Sequence, residues 1–368
     1  MSGVPYTAGP YIPGRLRQWA TGQALPLWAE TGFDRQHGRF FELLTLQGEP
    51  IHDTPHRLTV QARQIHTYAV AQKRGWYRAG DKIEQAYRSM LRDYRRDRNW
   101  AFSVHRNGDP CDPRRDFYAH AFVLLAIGSL VGLTGDRAPL AVADELLACL
   151  DTDFGAPEGH LEALPVVAGP RRQNPHMHLF EALLNLWMNT REPRYLERAG
   201  RMFDLFRRRF FEPTAGVLLE YFDDTFTPAP ERVVEPGHHC EWAWLLRWYQ
   251  RETGTPVEHY VEPLLAHVER HGIDQAGLLP DELLADGTVR TASRRTWPMT
   301  EAVKAFAVHG RHERAHALAD RLHTHFLSGA APGGWMDRLD AQGRPAADNM
   351  PASTLYHVMG ILVELDPS

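Results

Sequence analysis

Paired cysteines are missing. The three present, Cys111, Cys149 and Cys240, are odd in number and form no CxxC spacing, which excludes a disulfide framework and fits a reducing compartment. There is no surplus of positive charge either. Acidic residues number 46 against 41 basic ones, for a formal net charge of −5, so neither nucleic acid nor an anionic membrane is an expected partner. The longest apolar run, AFVLLAIGSLVGL from Ala121 to Leu133, is too short to cross a bilayer. The opening MSGVPYTAGP has neither the basic start nor the apolar stretch of a signal peptide. The expectation is a cytoplasmic globular protein, and an apolar share of 43% with 24% charged residues agrees with it. Histidine, by contrast, is abundant at twenty residues, so a single histidine carries no information outside a pattern.

Helical periodicity with start and stop signals predicts helices near 14–32, 57–74, 81–97, 115–133, 137–152, 174–190, 193–211, 238–253, 257–271, 296–309, 312–327 and 351–364. Short connections such as TREP and TGTP alternate with long ones. The long ones share a small-residue turn beside a β-prone segment, as in GRFFELL, AGVLLEYFDD and GGWMDRLDAQG, and so predict short hairpins or extended pieces. Helices that follow a long connection begin near 57, 115, 174, 238, 296 and 351, at intervals of 58, 59, 64, 58 and 55. That is a repeat of helix pairs. In each pair one helix is apolar nearly all round, for example FYAHAFVLLAIGSL, and its partner is amphipathic and arginine-rich, for example PRYLERAGRMFDLFRRRF. The first kind is buried and the second faces water on one side. Six of each in strict alternation predict an (α/α)6 barrel forming a single domain over 1–368. An open α-solenoid is the alternative.

Parallel inner helices bring their N-termini to one end, and the unusual polar residues fall there once per repeat. The series runs Arg57 and Gln61, then Tyr118 and His120, then Asn174, His176, His178 and Glu181. It continues with His238, His239 and Glu241, then Trp297 and Glu301, and closes on Tyr356 and His357. Asn174 with Pro175 also suits a plain helix cap. His238 opens a helix behind a Pro-Gly turn, where a protonated ring is disfavoured, so a neutral imidazole able to act as a base is expected.

Three chemistries compete. HMH, HH and Glu241 offer zinc or manganese ligands, but adjacent and i,i+2 histidines diverge on a helix. HExxH is absent, although His238 and Glu241 do have i,i+3 spacing. A glycosidase needs two carboxyls flanking one bond, and Glu241, Glu301 and Asp337 are candidates. Two histidines, one arginine and aromatic walls suit proton abstraction beside a carbonyl, with Arg57 stabilising an enediolate.

In order, RLTVQARQ, FYAHAFVLLA, NPHMHLFEALL, EPGHHCEWAWLL, WPMTEAVKA and LYHV resemble the N-acylglucosamine 2-epimerase superfamily over essentially the whole chain. The resemblance implies an (α/α)6 barrel and cofactor-independent, metal-independent epimerisation or aldose–ketose isomerisation of a small-molecule sugar. It implies His238 and His357 as the acid/base pair, Arg57 on the enediolate oxygen, Glu241 tuning a histidine and His178 assisting ring opening. Asn174, Trp297 and Glu301 would line the sugar site. Tyr118 and His176, in supporting rather than catalytic roles, complete the set. Pro298 stands where cellobiose epimerases of the superfamily carry a second tryptophan, and no GxxxxGK nucleotide loop is present. The EPGHH…EWAWLL form resembles the mannose isomerase branch. The expected reaction is D-mannose to D-fructose, with D-lyxose a further substrate, in a monomer or homodimer. A sugar 2-epimerase acting on N-acylglucosamine, mannose and glucose, or cellobiose is the alternative. Glu235 beside the site argues against an anionic sugar.

Overall fold

The computed structural model describes residues 12–365 apart from positions 97 and 167; the MSGVPYTAGP stretch lies outside them. With π-type turns counted into the helices they continue, twelve helices follow in the expected order. They are α1 (12–30), α2 (Leu58–Lys73), α3 (Lys82–Asp93), α4 (Phe117–Thr134), α5 (Leu140–Thr152), α6 (Asn174–Thr190), α7 (193–210), α8 (Pro236–Thr253), α9 (258–272), α10 (Thr296–Val308), α11 (His312–His325) and α12 (Thr354–Leu365). The even-numbered helices pack each on the next, and α12 returns to α2. The odd-numbered ones lie outside them, so the architecture is the (α/α)6 barrel.

Composition decides which helix goes inside. Every residue of α4 from Ala119 to Val131 is buried. At about 1.5–3 kcal/mol for each large aliphatic or aromatic side chain, Phe122, Leu124, Leu125 and Ile127 alone explain its central place. Its ends are set locally, since the Asp116 side chain accepts a 2.9 Å bond from the Ala119 N–H and Gly135 closes the helix at φ 73°. With 18 residues, α4 is long and apolar enough to cross a membrane, contrary to the expectation from the shorter Ala121–Leu133 run; α2 and α6 cover it instead. The outer α7 buries Tyr195, Ala199, Met202 and Phe203, an i, i+4, i+7, i+8 stripe, and turns its arginines outward.

The long connections do more than form hairpins. The strand ahead of each inner helix pairs antiparallel with another long connection. His56–Arg57 meets Ser103–Val104, Arg115–Asp116 meets Ala163–Leu164, and Arg171–Arg172 meets Tyr221–Phe222. Val233–Val234 meets Glu282–Leu284, Arg294–Arg295 meets Arg338–Leu339, and Asn349–Pro351 returns to Leu43–Thr45. Six small ladders therefore ring one end of the barrel and fix where each inner helix starts. Two of the boundaries that differ from expectation have a visible local cause. The helix expected over 81–97 stops at Asp93, where a short ladder begins; position 97 lies outside the described residues. Pro236 and Gly237 are the first two residues of α8 rather than a turn before it, because proline at N1 suits a helix start.

Candidate active site

The ladders surround a cavity of about 310 Å³. Tyr118 reaches it from α4, Asn174 and His178 from α6, His238 and Glu241 from α8, Trp297 from α10 and His357 from α12. Seven of the ten expected site residues are therefore brought together. The histidine doublets split as helical geometry requires. His178 and His238 face the cavity. Outside it, His176 accepts a 3.0 Å bond from the His160 N–H, and His239 accepts a 3.2 Å bond from the Leu218 N–H.

Each cavity histidine has its own carboxylate. Nδ1 of His178 donates to Glu181 at 3.0 Å, Nδ1 of His238 to Glu220 at 2.9 Å, and Nδ1 of His357 to Glu301 at 2.9 Å. That fixes the tautomers and leaves each Nε2 for the cavity. The electrostatic outcomes differ sharply. Burial lowers the pKa of His178 and of His357 to about 4, the partner carboxylate notwithstanding, so both are neutral at pH 7. Burial acts on His238 too, but the charges of Glu220 and of Glu235, 3.9 Å away, more than offset it and raise its pKa to about 9. The neutral His238 expected from its helix-start position is therefore corrected to an imidazolium. Burial pushes Glu235 up to about 7 against the pull of His238. Glu241 is raised well above the carboxylate range by burial and then by the charge on Glu301. Its Oε1 is buried without a hydrogen-bond partner, 4.0 Å from Nε2 of His178.

Four expectations are corrected. Arg57 does not line the cavity. It precedes α2 in extended conformation, its N–H and Nε both donate to Glu42, and its side chain is 42% exposed. Arg63, Arg172 and Arg295 line the cavity instead; Arg63 donates to the Tyr118 hydroxyl at 2.6 Å and lies over the Phe122 and Tyr356 rings at 4.2 and 4.9 Å. His176 packs among Phe117, Phe210 and Phe226, away from the sugar-sized space. Glu301 is fully buried behind His357 and does not line the cavity. Asn174 does not cap α6; the N-cap position is Gln173, and the Asn174 Oδ1 is buried without a hydrogen-bond partner.

Sequence reasoning also missed Glu220, Arg63, Arg172, Tyr221 and Arg295. One signal for Glu220 was available: a lone carboxylate inside the aromatic and aliphatic segment LLEYF must be buried and therefore paired. Arg172 and Arg295 stand just ahead of α6 and α10 as Arg57 stands ahead of α2. They are tied to Glu162 and Asp281 as Arg57 is to Glu42.

Three groups of side chains lie close enough to share a metal ion: His178, Glu181 and Glu241; Glu220, Glu235 and His238; and Glu241, Glu301 and His357. Each group contains a histidine–carboxylate hydrogen bond that accounts for part of this closeness.

The chain matches the family model described as N-acylglucosamine 2-epimerase over residues 38–361. It is 33% identical over 383 residues to a mannose-6-phosphate isomerase of Rhizobium meliloti (strain 1021), covering 96% of each chain. To a D-mannose isomerase of Thermobifida fusca it is 27% identical over 358 residues, covering 88% of this chain and 87% of the other. Its backbone follows a crystal structure of D-mannose isomerase with a TM-score of 0.86 over 99% of both chains, at 18% identity, a likeness of fold.

Proposed function

The chain belongs to the N-acylglucosamine 2-epimerase family and is an enzyme of the sugar isomerase and epimerase type; within that type we propose that it converts D-mannose to D-fructose, and D-lyxose to its ketose, through a cis-enediol. The observation that carries this reading is two histidines from different helices at one cavity, each with Nδ1 on its own buried carboxylate; the surrounding charges push His238 up and burial pushes His357 down, so the first serves as acid and the second as base. The neutral Nε2 of His357 removes the C2 proton of the open-chain aldose. The imidazolium of His238 gives its proton to O1, and the enediol forms. Arg63 stabilises the oxygen charge that develops between these steps. His357 then returns its proton to C1 while His238 recovers the O2 proton, and both residues regain their starting states. His178 and the protonated Glu241 serve ring opening and hydrogen-bond the sugar; Asn174 and Trp297 hold it.

An unphosphorylated sugar is favoured. Arg172 is tied to Glu162, and Arg295 to Asp281 and Glu235, so neither guanidinium is left to a phosphate, and Glu235 itself faces the cavity. A 2-epimerase is the second reading, because His238 and His357 come from different helices and the proton can return to C2 from either. The proposal extends to a cytoplasmic enzyme built as one domain. The test is incubation with mannose, lyxose, glucose, N-acetylmannosamine, cellobiose and mannose 6-phosphate, with products read by NMR. Fructose from mannose is expected. Glucose or N-acetylglucosamine as main product selects the epimerase, and turnover confined to mannose 6-phosphate rejects the unphosphorylated substrate.

A further inference from the structure

Lys304 takes no part in these steps, yet it occupies a place that demands a reason. It lies one turn beyond Glu301 on α10 and is 2% exposed. Its Nζ is 2.6 Å from Oε2 of Glu301 and 3.4 Å from the centre of the Trp244 ring. Burying an ammonium is costly unless a counter-charge compensates it. Here the counter-charge belongs to a crowded set, since ligand atoms of Glu241, Glu301 and His357 all lie within 4.8 Å of one another. Two buried carboxylates so close do not both ionise. The groups around them are Glu181 from α6, His238 and Cys240 from α8, Arg63 and His66 from α2, and Tyr356 from α12. None of these has an ion pair with Glu301; Lys304 does, and among the described ion pairs it has no other.

We propose that Lys304 is a positioning residue that decides which of two neighbouring buried carboxylates carries the negative charge. It assigns the charge to Glu301 and the proton to Glu241, and thereby holds His357 with Nδ1 donated to Glu301 and Nε2 toward the sugar. The directions of titration agree. Burial opposes the ionisation of Glu301, but Lys304 and His357 still hold it below the usual range, whereas Glu241 is pushed well above it. The charge assignment stands without any reaction; only the orientation of His357 toward a sugar rests on the isomerase reading.

The experiment is infrared difference spectroscopy of the full chain at pH 7, reading the carbonyl band of buried, protonated carboxylic acids. Comparison with Glu241→Gln identifies the Glu241 band. Glu301→Gln should abolish that same band, because Glu241 then takes the charge opposite Lys304. Lys304→Met should add a second acid band, which the Lys304→Met, Glu301→Gln double variant lacks. Lys304→Arg should restore the wild-type spectrum. Lys304→Met should also lower kcat by about 10- to 100-fold, the size typical of residues that orient a functional histidine, with KM little changed. The proposal is overturned if Glu301→Gln leaves the Glu241 band in place, an arm that decides even where Lys304→Met does not fold. It is equally overturned if a folded Lys304→Met gains no band. These spectra do not depend on turnover, so a chain inactive on every sugar would sink the isomerase reading and leave this test intact.

Discussion

His238 and His357 both pack against the ring of Trp297, with centroid separations of 4.8 and 5.8 Å, and at neutral pH only His238 is charged. The close approach of α8 to that ring depends on Gly237, where a Cβ would stand 2.5 Å from the indole. Two imidazoles on one aromatic wall, each backed by a carboxylate from a different part of the chain, divide acid and base roles by environment alone.

The first expected consequence is a broad pH optimum. Activity requires His357 neutral and His238 protonated, so kcat/KM should fall below about pH 4 and above about pH 9, following their pKa values. Stability follows the same groups. His238 is raised from an ordinary 6.5, so its contribution is complete below pH 6.5 and lost as pH rises toward 9. His178 and His357 are depressed, so theirs are complete above pH 6.5 and lost as pH falls toward 4. Melting temperature against pH should therefore peak between these limits. An alkaline limb of kcat/KM near pH 6.5 would contradict the charged His238.

Glu220→Gln removes the nearer of the two carboxylates that keep His238 charged. The alkaline limb should move toward neutrality, so that activity at pH 8 falls more than activity at pH 6. An unmoved limb would mean that Glu220 does not set the acid.

The two arginines separate cleanly. Arg63→Lys keeps a charge but loses the planar fork, and kcat should drop by about 10²–10³-fold, as when one oxyanion donor is removed. Arg57→Lys keeps the charge opposite Glu42 outside the cavity and should leave kcat close to wild type. The reverse pattern would restore Arg57 to the site.

His357→Asn should keep the circular dichroism of the wild type and lose about 10²–10⁴-fold in turnover, the usual cost of removing a general base. Overnight dialysis against EDTA should leave the wild-type rate unchanged. A loss restored by zinc or manganese would instead assign the histidine–glutamate groups to a metal.

The barrel was legible because inner and outer helices differ in composition and recur at about sixty residues, and that periodicity survives errors of a few residues at any boundary. That the histidines of HMH and HH diverge was legible from the helical angle between neighbours, and the family resemblance pointed to His178 and His238 as the ones that serve the site. Their chemistry was not. The helix-start argument made His238 neutral, whereas its charge is set by Glu220, 18 residues upstream in the long connection that leads into α8. Arg57 and Arg63 lie six residues apart at the start of one inner helix, and periodicity did not say which points inward. The ring of ladders decides, by holding Arg57 in extended backbone paired with Ser103. Glu301 shows the same limit: spacing placed it near the mouth, and only packing shows it behind His357 rather than in the cavity.

The central claim, proton transfer through an enediol between His357 and His238, is tested most directly by converting [2-²H]mannose in ordinary water and measuring deuterium at C1 of the fructose formed. An imidazole that takes the label exchanges it with solvent, so part or all of the deuterium should be missing from the product, and more of it as incubation lengthens. Complete transfer to C1, with none lost at long times and low turnover, would contradict the account and point to a hydride shift.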